Sequence, residues 1–156
     1  MLGRILWLSL AAAFAATAQK YDGPRPPKPD IPYLKHAANL IPTEAVTAKE
    51  EKKKDDTTYA IDGANSTAKT PLASPIFLML VGKVAPGKLS LYKLEIKDGR
   101  REISFPAGKP PQAIRMVVTK LSSDGLWKIE VDESLEPGEY SLSPEGSAQA
   151  FCFQVF

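Results

Sequence analysis

From Ile76 onward the chain alternates apolar and polar residues with a period of two, the pattern of strands that bury one face. In "LSLYKLEIK" (89–97), Tyr92, Leu94 and Ile96 share one face and Lys93, Glu95 and Lys97 the other. Asp98-Gly99 follows, the strongest short signal for a two-residue hairpin turn. Such a turn sets Leu94 opposite Ile103 and Tyr92 opposite Phe105, and it also sets Glu95 against Glu102, a small like-charge penalty. "IRMVVTKL" and "LWKIEVD", joined through Ser123-Asp124-Gly125, read as a second hairpin. There Trp127, Ile129 and Val131 face inward while Lys128, Glu130 and Asp132 face water. "IFLMLV" (76–81) differs: a continuous apolar run of strand length predicts a strand buried on both faces. "EYSLS" and "AFCFQVF" supply two further strands.

Upstream the pattern is weaker. Thr47 and Glu50 fit a helix capping box, but no apolar stripe at helical spacing follows, because 50–56 is wholly charged. A hairpin with arms 44–50 and 57–61, turning in the solvated run "EEKKKDD", suits the surroundings better. "DGANSTAKTPLASP" (62–75) reads as a loop or irregular edge. "YLKHAANLI" (33–41) fits a helical turn or an extended strand equally. These elements predict an all-β fold: a single antiparallel β-sandwich of about seven to eight strands.

The first twenty residues change the picture of organisation. "MLGRILWLSLAAAFAATAQK" has one basic residue, Arg4, then an apolar run, then Ala16-Thr17-Ala18. That is the three-part pattern of a secretory signal peptide, too short for a membrane span. The expected organisation is a signal peptide (1–18), a proline-rich N-terminal arm (19–42) and the sandwich domain (43–156). The expected location is periplasmic or extracellular, with no membrane span once the leader is removed. In the arm, Pro24, Pro26, Pro27, Pro29 and Pro32 favour polyproline II. Pro26, Pro29, Tyr33, Leu34 and His36 are its candidate residues for contacting a partner or for packing the arm on its own domain. Prolines there would also discourage edge pairing.

Charge and chemistry mostly narrow the field. Without the leader the chain carries 19 basic and 18 acidic side chains, a net charge of +1. Mixed signs near neutrality argue against nucleic acid and against anionic membrane surfaces. One cysteine, Cys152, allows no intrachain disulfide, and one cysteine with one histidine makes a poor zinc set. Cys152 lies between Phe151 and Phe153 and points opposite to them, as a small packed hydrophobe would. His36, in the arm, is badly placed for Ser-His or Cys-His catalysis. No phosphate loop, HExxH or GxSxG occurs, and no catalytic residues, cofactor or metal are expected. The terminal "AFCFQVF" ends in phenylalanine, as outer-membrane barrel proteins commonly do. Stepping back by two from Phe156 gives Gln154, Cys152 and Ala150, a poor lipid-facing set.

"LEPGEYSL" (135–142) resembles the loop-to-strand corner of immunoglobulin-like and fibronectin-like sandwiches. The resemblance implies a Pro137-Gly138 turn leading into a strand whose Tyr140 buries its ring and bonds the backbone upstream. The chain from the arm onward resembles a group of uncharacterised secreted β-sandwich proteins of soil bacteria. The likeness lies in "PRPPKPDIPYLKHA", "TPLASPIFL", "KDGRREISF" and "LEPGEY…FCF", and it brings no activity with it. The function expected from all this is an exported, non-enzymatic binding module whose partner is a protein or a cell-envelope component. The alternative is a structural or assembly subunit that contacts a neighbour through its N-terminal arm.

Overall fold

A computed structural model of the chain describes residues 20–107 and 109–156; the expected leader, residues 1–18, lies outside them. Among the described residues are 13 strands and a single 3-10 turn, Pro86–Lys88. In chain order the first seven strands are β1 (Tyr33–His36), β2 (Asn39–Pro42), β3 (Glu44–Thr47), β4 (Lys49–Lys53), β5 (Asp56–Asp62), β6 (Lys69–Thr70) and β7 (Ile76–Leu80). The rest are β8 (Leu89–Lys97), β9 (Arg100–Phe105), β10 (Met116–Lys120), β11 (Leu126–Val131), β12 (Gly138–Pro144) and β13 (Gln149–Val155). No helix in the described part is long and apolar enough to cross a membrane.

The class is therefore all-β, with two largely antiparallel sheets packed as a sandwich, as the alternation predicts. The strands outnumber the seven or eight expected, for local reasons. Residues 33–42 are not a helical turn but a hairpin, β1–β2, and the extended run 44–53 is divided at Ala48 because its halves pair with different neighbours. The loop 62–75 contributes β6, which pairs parallel to β13.

The smaller sheet has the order β10-β11-β7-β1-β2. Its central strand β7 is the continuous apolar run, and Phe77, Leu78 and Met79 are all buried. The larger sheet has the order β3-β13-β12-β8-β9-β5-β4. Between the sheets lies the main core: Leu34, Phe77, Met79 and Ile129 from one side, Leu91, Tyr140, Leu142, Phe151 and Phe153 from the other. Phe153 meets Phe77 edge-on at 5.0 Å and stacks on Tyr140 at 5.6 Å. Burying each of these side chains is worth roughly 1.5–3 kcal/mol, so this layer can stabilise the domain without a disulfide.

The outer face of the smaller sheet is also covered. Leu78, Leu126 and Tyr33 alternate away from the main core yet are buried. The proline segment is anchored at this end. The Asp30 amide donates to the Leu80 carbonyl at 2.8 Å, Pro29 bridges to Leu80, and Arg25 pairs with Asp124 at 2.7 Å. The Asp30 carboxylate accepts the amides of Gly82, Lys83 and Val84, each at 2.8 Å.

The larger sheet closes on itself. The two ends of its strand order, β3 and β4, are one run of chain interrupted only by Ala48. β3 pairs with β13 while β4 pairs with β5, so β3–β4 joins both edges. The result is a small barrel, one side of which (β8, β12, β13) also forms a wall of the sandwich. This explains why "AFCFQVF" is apolar on both faces. Phe151, Phe153 and Val155 enter the core between the sheets; Ala150 and Cys152 enter the barrel.

Candidate functional site

Strand parity decides which side chains fill the barrel. Glu44 and Val46 point inward from β3, Ala48 from the junction of β3 and β4, and Thr57, Tyr59 and Ile61 from β5. Tyr92 and Leu94 enter from β8, Arg101, Ile103 and Phe105 from β9, and Glu139, Ser141 and Ser143 from β12. A barrel this narrow is ordinarily filled by its own side chains. Here one end is filled with a polar network, and the other is open.

The filled end centres on Arg101, which is fully buried. All five of its N–H groups are used. Nη1 donates to Glu44 Oε2 at 2.6 Å and to Ser66 Oγ at 2.8 Å; Nη2 donates to Glu44 Oε1 at 3.2 Å and to the Asp62 carbonyl at 2.9 Å. Nε donates to the Gly63 carbonyl at 2.8 Å. Burial works against the Arg101 charge, but the acidic groups around it, the hydrogen-bonded Glu44 carboxylate foremost, together hold the guanidinium above its ordinary pKa. Ser66 passes the network on: its amide donates to Glu139 at 3.1 and 3.2 Å, and its hydroxyl donates to the same carboxylate. Cys152 lies beside this network, fully buried, and desolvation pushes its thiol up to about 12 despite the Arg101 charge nearby.

The open end is a cavity of about 360 Å³ between β5, β8, β9 and the β12–β13 turn. Its origin is a parting of β8 from β9. Their ladder holds Lys97 to Arg100, Ile96 to Arg101 and Glu95 to Glu102, and then stops. The expected pairing of Leu94 with Ile103 and Tyr92 with Phe105 keeps its register but loses its ladder. The Leu91 carbonyl instead accepts the Ile114 amide at 2.8 Å. The Glu95–Glu102 contact is tolerated because Lys97 and Arg100 lie 3.5 and 3.1 Å from the Glu102 carboxylate.

Aromatic rings line the gap. Phe105 meets Tyr59 at 5.6 Å and Tyr92 at 5.5 Å, both edge-on. Opposite Tyr59 and Phe105, on the wall that Tyr92 shares, the Ser141 and Ser143 hydroxyls lie 2.9 Å apart. The rim is the turn Glu145–Ala148, which is fastened in place. The Glu145 amide donates to the Lys88 carbonyl at 3.0 Å, and the Ala48 amide donates to the Ala148 carbonyl at 2.8 Å.

The residues singled out in the arm lie elsewhere. Tyr33 and Leu34 are buried in β1, Pro26 is buried against the fold and Pro29 is exposed. His36 is half-buried, its Nε2 2.8 Å from Thr70 Oγ1. None of the five lines the cavity. Arg101 carried a readable signal, since parity puts it on the face of Ile103 and Phe105, whereas Glu139 shares its face with Ser141 and Ser143 and reads as solvent-facing. A charge on an apolar face asks for a partner. The cavity itself had no such signal, since a lining residue and a filling residue look alike in sequence.

Among the described residues no group of three or more His, Cys, Asp or Glu side chains has the arrangement of a metal site. Compared with known proteins, the chain matches no family model, no curated protein and no solved structure.

Proposed function

We propose that this chain is an exported, non-enzymatic binding module, and that the open end of its barrel is the binding site. The observation that carries the reading is the cavity of about 360 Å³ in a barrel otherwise filled. It falls within the 300–1,000 Å³ of ordinary ligand pockets, is walled mainly by apolar and aromatic side chains, and is held open by backbone hydrogen bonds. Export rests on the three-part leader pattern. A protein or cell-envelope component would be met on the outer faces of the sheets or through what the cavity holds.

The alternative, an assembly subunit that lends its arm to a neighbour, is less well supported. The only stretch of arm able to donate ladder bonds is 33–41, and its β1 is already paired with β7 of the same chain. That leaves a neighbour the outer edge of β2, the four-residue strand at the end of the smaller sheet.

A thermal-shift screen of a chemically diverse fragment library tests the reading. Hits are expected to raise the melting temperature of the protein and to lose their effect in Ser143→Phe, which fills the cavity. A screen with no saturable hit would sink the cavity as a site, and saturable turnover of any substrate would sink the non-enzymatic part.

A further inference from the structure

We propose that the cavity takes a small, uncharged aromatic molecule that carries a hydrogen-bonding group along one edge. This deepens the reading of the cavity as the binding site and rests on it. The argument comes from the difference between its walls. On the β8–β12 side, the register sets Tyr92 against Ser141 and Ser90 against Ser143, which lines that wall with hydroxyls. The Ser141–Ser143 pair spends one O–H on the other residue and leaves one O–H and several lone pairs for a guest. On the β5–β9 side stand Ile61, Ile103 and the rings of Tyr59 and Phe105, with Thr57 at the mouth as the one aliphatic hydroxyl of that wall. A flat ring entering between these walls meets carbon on one side and hydroxyls on the other. It joins rings already in the edge-on arrangement that aromatic groups prefer.

Charge excludes the other classes. Tyrosines aside, Glu145 is the one ionisable residue among the described residues lining the cavity, and it sits on the rim 3.5 Å from Lys88. The nearest buried cation, Arg101, has every N–H committed within the filled end. A buried anion would lose its water and find no counter-charge, and a buried cation would fare little better.

Two dyes of one skeleton make the test: N-phenyl-1-naphthylamine, neutral with an N–H on its edge, and 8-anilino-1-naphthalenesulfonate, its sulfonated relative. Fluorescence titration of the purified protein is expected to give saturable one-to-one binding of the neutral dye. The sulfonate should bind about tenfold more weakly or worse. Ser143→Phe should abolish neutral-dye binding with little change in melting temperature, while Ser143→Ala weakens it about threefold. If S143F melts early, Thr57→Trp at the mouth on β5 repeats the test. Equal or tighter binding of the sulfonate overturns the ligand class and leaves the site. So does failure of both dyes when the fragment screen yields cavity-dependent hits of another class. Neutral-dye binding that survives both filling variants shows that the dye sits elsewhere and overturns the proposal. Failure of both dyes together with an empty screen overturns the binding site itself.

Discussion

Replacing Arg101 with methionine keeps most of the side-chain bulk and deletes the charge at the filled end of the barrel. Arg101 is the largest fully buried side chain in the fold, and its ion pair with Glu44 is made at 2.6 Å with only 1 % and 18 % of the two side chains exposed. Breaking a buried pair from one side costs about 3–5 kcal/mol, because the remaining charge is left without a partner. The lower end applies here. Glu44 keeps some access to water, and the orphaned carbonyls belong to Asp62 and Gly63, which are exposed enough to be hydrated. A loss of about 3 kcal/mol is therefore expected. With a urea m-value of about 2 kcal/mol per molar, the midpoint should fall by about 1.5 M at unchanged slope. Adding Glu44→Gln to R101M removes one of the two carboxylates left without a cation, buried Glu139 being the other, and should recover about 1 kcal/mol. A loss below about 1 kcal/mol in R101M, or no recovery in the double variant, would refute the claim that the Arg101 network fills and holds that end.

Three further outcomes follow from other parts of the fold. Although partial burial opposes it, amides of Val84, Lys83 and Gly82 hold the Asp30 carboxyl below its ordinary pKa. Its contribution is thus complete above about pH 4 and fades as pH falls through the lower folded value. Asp30→Asn should be less stable than the parent by about 1 kcal/mol at pH 7, and melting curves should show that gap narrowing as the pH is lowered below about 4. Cys152, with its thiol at about 12 and no exposure, should resist iodoacetamide at pH 8 in the native state and react fully in urea. Mass spectrometry of the alkylated protein reads this directly. Tyr140→Phe removes the hydroxyl that donates to the Glu136 carbonyl at 2.7 Å, and should cost about 1–2 kcal/mol, or about 3–6 °C in melting temperature.

What was legible in the sequence was whatever local physics decides. Asp98-Gly99 adopts positive φ at both positions, 51° and 74°, so the hairpin falls where the dipeptide put it. The charged run turns as a hairpin at Lys54, with a φ of 57°, and β7 is buried on both faces as a continuous apolar run should be. Closure of the larger sheet was not legible, because it depends on β3 and β4 choosing different neighbours across Ala48. No local propensity encodes that choice. Tyr92, Leu94 and Ile96 share a face as expected, but Ile96 is exposed while Tyr92 and Leu94 point into the barrel, and Leu89 and Leu91 on the opposite face reach the core between the sheets. Alternation gives the two faces of a strand and cannot say that both are inside. The five arm residues drew notice through composition; Tyr33 and Leu34 pack as part of the smaller sheet, away from the cavity.

The central claim is a preformed cavity that holds a guest. A two-dimensional NMR titration of the protein with N-phenyl-1-naphthylamine, read at backbone amides and aromatic side chains, tests it most directly. Saturable shifts should be confined to Tyr59, Tyr92, Ile103, Phe105 and the turn from Pro144 to Ala148, with the smaller sheet unmoved. Shifts centred on β2, β10 or the proline segment, or none that saturate, would contradict it.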